Sequence, residues 1–291
     1  MGCASLFAFV QLDLPWPLGP PDGRYLVRAP SGGQAAAQAT PSQPSHVLVL
    51  STLASSPARR WPRRASRRLA PGAAPPPVAV GRATIIGAAP LADEAAARGW
   101  LGRAGERELR DGVRVLNRAL HAYRLATGDP WLRTVSVTQA LATRAGYGAG
   151  EQVAEGAWIQ ARELRLATGP SGRRSRLAGE ARLAAALTGR ASTLACEELT
   201  LRARMDLEEG RPREAALQLL AALDSALTEL AADPAASALA GRLAELAALR
   251  QGVSDAARAL LSGERAEAGP EVAAALERLQ AALRARAAGP A

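Results

Sequence analysis

STLACEELTLRARMDLEEGRPREAALQLLAALDSALTEL, residues 192–230, is the stretch whose reading decides the fold. Ser192 stands ahead of an apolar run, where its hydroxyl can satisfy an orphan backbone N–H, so a helix is expected from there to Glu209. Gly210 closes it, because glycine accepts the left-handed conformation that ends helices. Pro212 opens a second helix in the first turn, where its missing N–H is not needed, and Glu214 in that turn suits the helix dipole. Leu220, Leu223, Leu227 and Leu230 then recur at spacings of three, four and three, which makes one apolar stripe. The short Gly-Arg-Pro link makes the two helices antiparallel neighbours.

Ala203, Gly210, Ala215 and Ala222 fall where a tetratricopeptide repeat carries its small residues, so the segment around MDLEEGRPREAALQLLAAL resembles one such repeat. Asp206 stands where that family usually has an aromatic residue, and Leu227 where it usually has proline. No second copy follows one period later, and a lone unit does not make the concave peptide groove of a repeat array.

Working outward, the chain from Leu177 to its end reads as helices alone. Leu239, Leu243 and Leu246, the run Val253 to Leu261, and Val272, Leu276, Leu279 and Leu283 supply the apolar stripes of a bundle or array over 177–291. The sequence TGPSGRRSR at 168–176 reads as a linker.

Toward the N-terminus the period changes to two. Over 4–14, Leu6, Ala8, Val10, Leu12 and Leu14 share one face, which predicts a strand. Arg24 to Arg28 predicts a second, returning antiparallel to the first after a Pro-Asp-Gly turn. His46 to Leu53 and Val78 to Gly87 predict two more. Leu109, Val113, Leu116 and Leu120 predict a helix over Arg107 to Thr127, stopped by Gly128-Asp129-Pro130, that covers one face of the sheet. Thr134 to Val137 alternates like a strand, Gln139 to Ala145 suits either type, and Val153 to Leu166 reads as a returning extended segment around a glycine-rich turn at Gly146, Gly148 and Gly150. The expected architecture is therefore α+β. A small antiparallel sheet packed by helices spans 1–167, with a mobile Arg- and Pro-rich loop at 54–77, and an all-helical domain follows.

Charge is unevenly placed. All 36 basic residues are arginine, which is consistent with a high-GC bacterial genome. Residues 23–92 hold nine of them and no carboxylate, while the other 27 balance the 27 acids, so the net charge of +9 belongs to the N-terminal quarter. The core of that excess is RRWPRRASRR, where Arg59, Arg60, Arg63, Arg64, Arg67 and Arg68 surround Trp61. Guanidinium pairs with phosphate and an indole stacks on bases, so polyanion or nucleic-acid binding is the reading for that loop, set against a solvated linker.

Catalytic side chains are sparse. The two histidines, His46 and His121, lie in no cluster with zinc spacing, and Cys3 and Cys196 form no disulfide framework. The Gly146 turn matches no phosphate-loop fingerprint, and the chain has no lysine for a Walker loop. No cofactor or metal is expected. The N-terminus lacks the basic region of a signal peptide, and no apolar run of about 18 residues suggests a span, so a cytoplasmic protein without a membrane partner is expected. The leading functional expectation is a non-enzymatic adaptor that binds a protein partner through its helices, with Leu201, Met205, Leu220, Leu223 and Leu227 as contacts. The second is the nucleic-acid reading of the arginine loop. The third is an enzyme with a site near His121 and the Gly146 turn.

Overall fold

The computed structural model describes residues 5–28, 43–53, 78–164, 173–190, 192–234, 236–263 and 269–288. The described residues up to 164 make one compact unit, and those from 173 onward make a second.

In the first unit, β1 (Phe7–Leu14), β2 (Gly23–Val27), β3 (His46–Leu53), β4 (Val80–Gly87), β5 (Ala142–Gly148) and β6 (Gln160–Glu163) form one antiparallel sheet in the order β2-β3-β4-β1-β5-β6. Strand β1 is central. Val10 sits opposite Ile85 of β4 and Ala145 of β5. Its alternation is realised as expected: Leu6, Val10, Leu12 and Leu14 enter the main core, and Phe9 points to the other face. The expected pairing of β1 with β2 does not occur, because β2 lies at the sheet edge beside β3. Burial explains the exchange. A strand buried on both faces belongs in the middle of a sheet, whereas β2, with Arg24 and Leu26 exposed, suits an edge.

Helices α1 (Glu94–Arg103) and α2 (Glu106–Thr127) cover the Val10 face. Asp93 caps α1 by accepting from the Ala96 N–H at 2.7 Å, and Glu108 accepts from the Gly105 N–H at the start of α2. The predicted stripe of Leu109, Val113, Leu116 and Leu120 is buried throughout. Gly112 lets the helix lie close to the sheet, since a Cβ there would stand 3.4 Å from Val10. Asn117 pins the segment that leads to β5, donating to the Val135 carbonyl and accepting from its N–H.

Residues 134–164 correct the sequence reading. Val137–Gln139 is a short 3-10 turn rather than part of a strand, and the glycine-rich stretch is mostly strand rather than turn. Gly146 lies within β5 because the Phe9 ring and the Gln160 carbonyl occupy the space a side chain would need, each 2.6 Å from an ideal Cβ. Of the three alternate glycines, only Gly150 has a positive φ, 75°. It opens a 3-10 segment, Gly150–Glu155, before β6.

The second unit comprises α3 (Arg173–Leu187), α4 (Ala195–Glu208), α5 (Pro212–Glu229), α6 (Ala236–Ser262) and α7 (Gly269–Ala288). Helix α3 starts inside the expected linker. Helix α5 packs on α4, α6 and α7, and α7 returns against α4, so these four close into a bundle. Ala203, Ala215, Ala222 and Leu223 share its core with Leu246, Val272 and Leu279. Arg286 of α7 latches the closure, donating to Asp233 at 2.7 Å and to Glu197 at 3.3 Å.

Candidate functional site

The hairpin turn forms as the residue types require. Gly210 has φ +71°, its N–H donates to Leu207 O, and the Arg211 N–H donates to Asp206 O. This pair of bonds is the Schellman closure. Asp206, in place of an aromatic residue, then has a clear role. Its carboxylate accepts from Arg211 Nε at 2.9 Å and Nη2 at 2.7 Å, with both side chains 12% exposed. Ser192 is not the cap of α4. The helix starts at Ala195, and the Glu229 carboxylate accepts from the Ala195 and Cys196 N–H groups. Cys196 is fully buried, and burial followed by Glu229 pushes its thiol up to about 12, so the helix start does not yield a thiolate.

The expected partner contacts separate. Leu201 is 62% exposed and Met205 half-buried. Leu220 and Leu227 pack partly against the core, and Leu223 is fully buried, so it offers no surface in this fold. The seam of α5 runs instead through Ala215, Leu219, Ala222, Leu223, Ala226 and Leu230. Leu217, which the stripe does not include, is exposed.

His121 and Gly146 are not brought together. Helix α2 covers one face of the sheet, while Gly146 opens toward Phe9 on the other. Arg59, Arg60, Trp61, Arg63, Arg64, Arg67 and Arg68 lie outside the described residues. The strands on either side of them do pair, with Leu53 opposite Val80. Among the described residues, no group of three or more His, Cys, Asp or Glu is placed to hold a metal.

Two features went unread in the sequence. The first is a polar seam on the Phe9 face. Buried Gln11 donates to Thr84 at 2.9 Å, and Asp13 accepts from Arg82 at 2.7 and 3.1 Å and from Arg144 at 2.9 Å. Burial pushes the Asp13 carboxyl up, but the two guanidiniums outweigh it and hold the group below its ordinary value. Gln11 and Asp13 were visible as polar residues on one face of β1, but their cations stand 69 and 131 residues away. The one carboxylate holds both guanidiniums, and Arg144 also donates to Gln11 Oε1 at 3.2 Å, which fits structural work.

The second feature is a cleft of about 790 Å³ between β2 and the C-terminal half of α2. Val27 and Leu50 form its sheet side, and Ala119, Ala122 and Ala126 its helix side. Tyr25 and Tyr123 line it as well, with Arg28 and Arg118 among the lining residues. Arg118 Nη1 donates to the Arg28 carbonyl at 2.7 Å. The charge of Arg118 also reaches His46, which burial first and then that charge hold below the ordinary histidine value. The cleft exists because the sheet extends to β2 while α2 leaves part of that end uncovered.

Neither a family model, nor a curated protein, nor a solved structure matches the chain.

Proposed function

We propose that the chain is a non-enzymatic interaction protein that binds a protein partner through its helical unit. The observation that carries this reading is an exposed leucine on each helix of the hairpin. Leu201 on α4 and Leu217 on α5 are 62% and 45% exposed, while the bundle core is filled without either. The charges on α4 around Leu201 pair along the helix, Glu198 with Arg202 and Arg204 with Glu208. That surface is thus locally neutral, and a partner docked on it through an apolar helix face would hold in high salt. The resemblance to one tetratricopeptide repeat supports a binding role, but the groove of an array does not enter the reading, because α7 closes against α4.

The test is recovery of the tagged full-length chain from nuclease-treated source lysate, beside a Leu201→Glu/Leu217→Glu variant and a deletion of 54–77. The reading expects one protein at near-equal amounts that the double variant loses and the deletion keeps, in 0.1 M and 0.5 M salt alike. Loss on deletion with retention by the double variant would overturn it. That result would favour the second reading, polyanion binding by Arg59 to Arg68, which rests on nine arginines without a carboxylate over 23–92. Six phosphate contacts there would give a slope of log K against log salt of about −5.

Among the described residues, no helix is long and apolar enough to cross a membrane.

A further inference from the structure

We propose that the cleft between β2 and α2 binds a small amphiphile with a carboxylate head and an acyl-type tail. Three properties of the cleft lead to this ligand class.

The first is size. About 790 Å³ lies within the range of pockets that enclose small molecules, about 300–1,000 Å³, and is far more than a side chain or a few waters need. The second is the chemistry of the walls. Val27 and Leu50 are nearly fully buried core residues that face the cleft, and Ala119, Ala122 and Ala126 form a helix wall with no side chain long enough to fill the gap. Such walls reward an apolar body and give it no hydrogen-bond partners. The third is the sign of the charge. The lining includes two arginines, Arg28 and Arg118, and no acid. The Arg118 guanidinium is held at the end of β2 by its bond to the Arg28 carbonyl. The site therefore favours an anionic head on an apolar body and disfavours a cationic one. A tyrosine from each wall, Tyr25 and Tyr123, adds flat surface for the tail.

This site is independent of the helical partner surface, and its test leaves that surface unchanged. The full-length chain is titrated with dansyl-labelled undecanoic acid below its micelle concentration. The probe is then displaced by octanoate, decanoate, dodecanoate, decanol and decyltrimethylammonium. The proposal expects each added methylene of the carboxylates to tighten binding about fourfold until the cleft is full. Decanoate should outcompete decanol at least fivefold, and decyltrimethylammonium should compete least. Ala122→Trp, at an exposed helix position that tolerates a large residue, should weaken the probe at least tenfold, and Ala126→Trp should do the same. Arg28→Gln and Arg118→Gln should weaken decanoate at least fivefold and leave decanol unchanged. Undiminished binding in both tryptophan variants would overturn the site, and equal binding of anionic and cationic amphiphiles would overturn the ligand class. Arg28 and Pro44 line the cleft on either side of residues 29–42. A deletion of 31–41 should therefore leave the affinity unchanged, and a tenfold rise would assign the cleft to that segment and overturn the proposal.

Discussion

The Glu229 carboxylate, in the last turn of α5, accepts the Cys196 N–H at 2.9 Å in the first turn of α4. It accepts the Ala195 N–H at the same distance. The cap that a local serine was expected to provide is thus supplied from the partner helix, and it joins the two ends of the hairpin that lie far from the turn. Burial alone would push the Glu229 carboxyl up. The two N–H donors, the Cys196 thiol and Arg286 together bring it below its ordinary value.

This arrangement separates two variants that the sequence would rank the other way. Glu229→Ala should lower stability by about 1 kcal/mol or more, the usual loss for a helix cap. Ser192→Ala should change it by less than about 0.3 kcal/mol, because Ser192 is exposed and lies outside α4. Urea unfolding of both variants at pH 7 decides it. A larger loss from Ser192→Ala would mean that the helix starts where the sequence places it.

Asp206 and Arg211 form a mostly buried pair across the hairpin turn. Removing one partner leaves an uncompensated charge, so Asp206→Ala should cost about 3 kcal/mol. Replacing both with leucine removes the charge and restores apolar volume, and should cost less than about 1 kcal/mol. A double-mutant cycle by chemical denaturation measures the coupling. Additive losses would show that the pair stabilises nothing beyond its separate packing.

What was legible in the sequence was local. The ends of β3, His46 and Leu53, follow from an apolar run bounded by turn residues, and the α2 stripe follows from its period. Gly210 and Pro212 mark the hairpin turn because their backbone restrictions act within one turn of chain. What was missed depends on residues distant in sequence. The register of Leu220 and Leu227 is set by α6 and α7 packing on α5, which turns the buried seam toward Ala215, Leu219 and Ala222. The cleft is a property of where α2 stops covering the sheet, and no residue within it carries that information alone. The partners of Asp13 become visible only once β4 and β5 flank β1.

Gly146 gives a packing test of the sheet. Gly146→Ala places a methyl 2.6 Å from the Phe9 ring and the Gln160 carbonyl, so it should cost about 1–3 kcal/mol. Phe9→Leu relieves the ring contact but not the carbonyl. In the Phe9→Leu background the same glycine change should cost less without becoming neutral. Thermal and urea unfolding of the four chains of this cycle measure that difference, and an unchanged cost would show that Phe9 does not press on Gly146.

Asp13 links the polar seam to pH. Its carboxyl is held below the ordinary 3.8 in the folded chain, so the folded state binds the proton less readily than the unfolded one. The stability it contributes is therefore fully present above the unfolded value and is lost as pH falls through the folded one. Asp13→Asn removes the charge at every pH and leaves Arg82 and Arg144 facing a neutral amide. At pH 7 that variant should be less stable by about 3 kcal/mol, the scale of a broken buried pair. The gap between wild type and variant should stay constant from pH 7 to about pH 5 and narrow below about pH 4. Comparing the two chains at each pH cancels the other carboxylates, Glu229 among them, whose lowered value adds acid sensitivity to both. Urea midpoints at pH 3, 4, 5 and 7 are sufficient. A gap that widens on acidification would show that Asp13 is held protonated, and the two guanidiniums would then not be its partners.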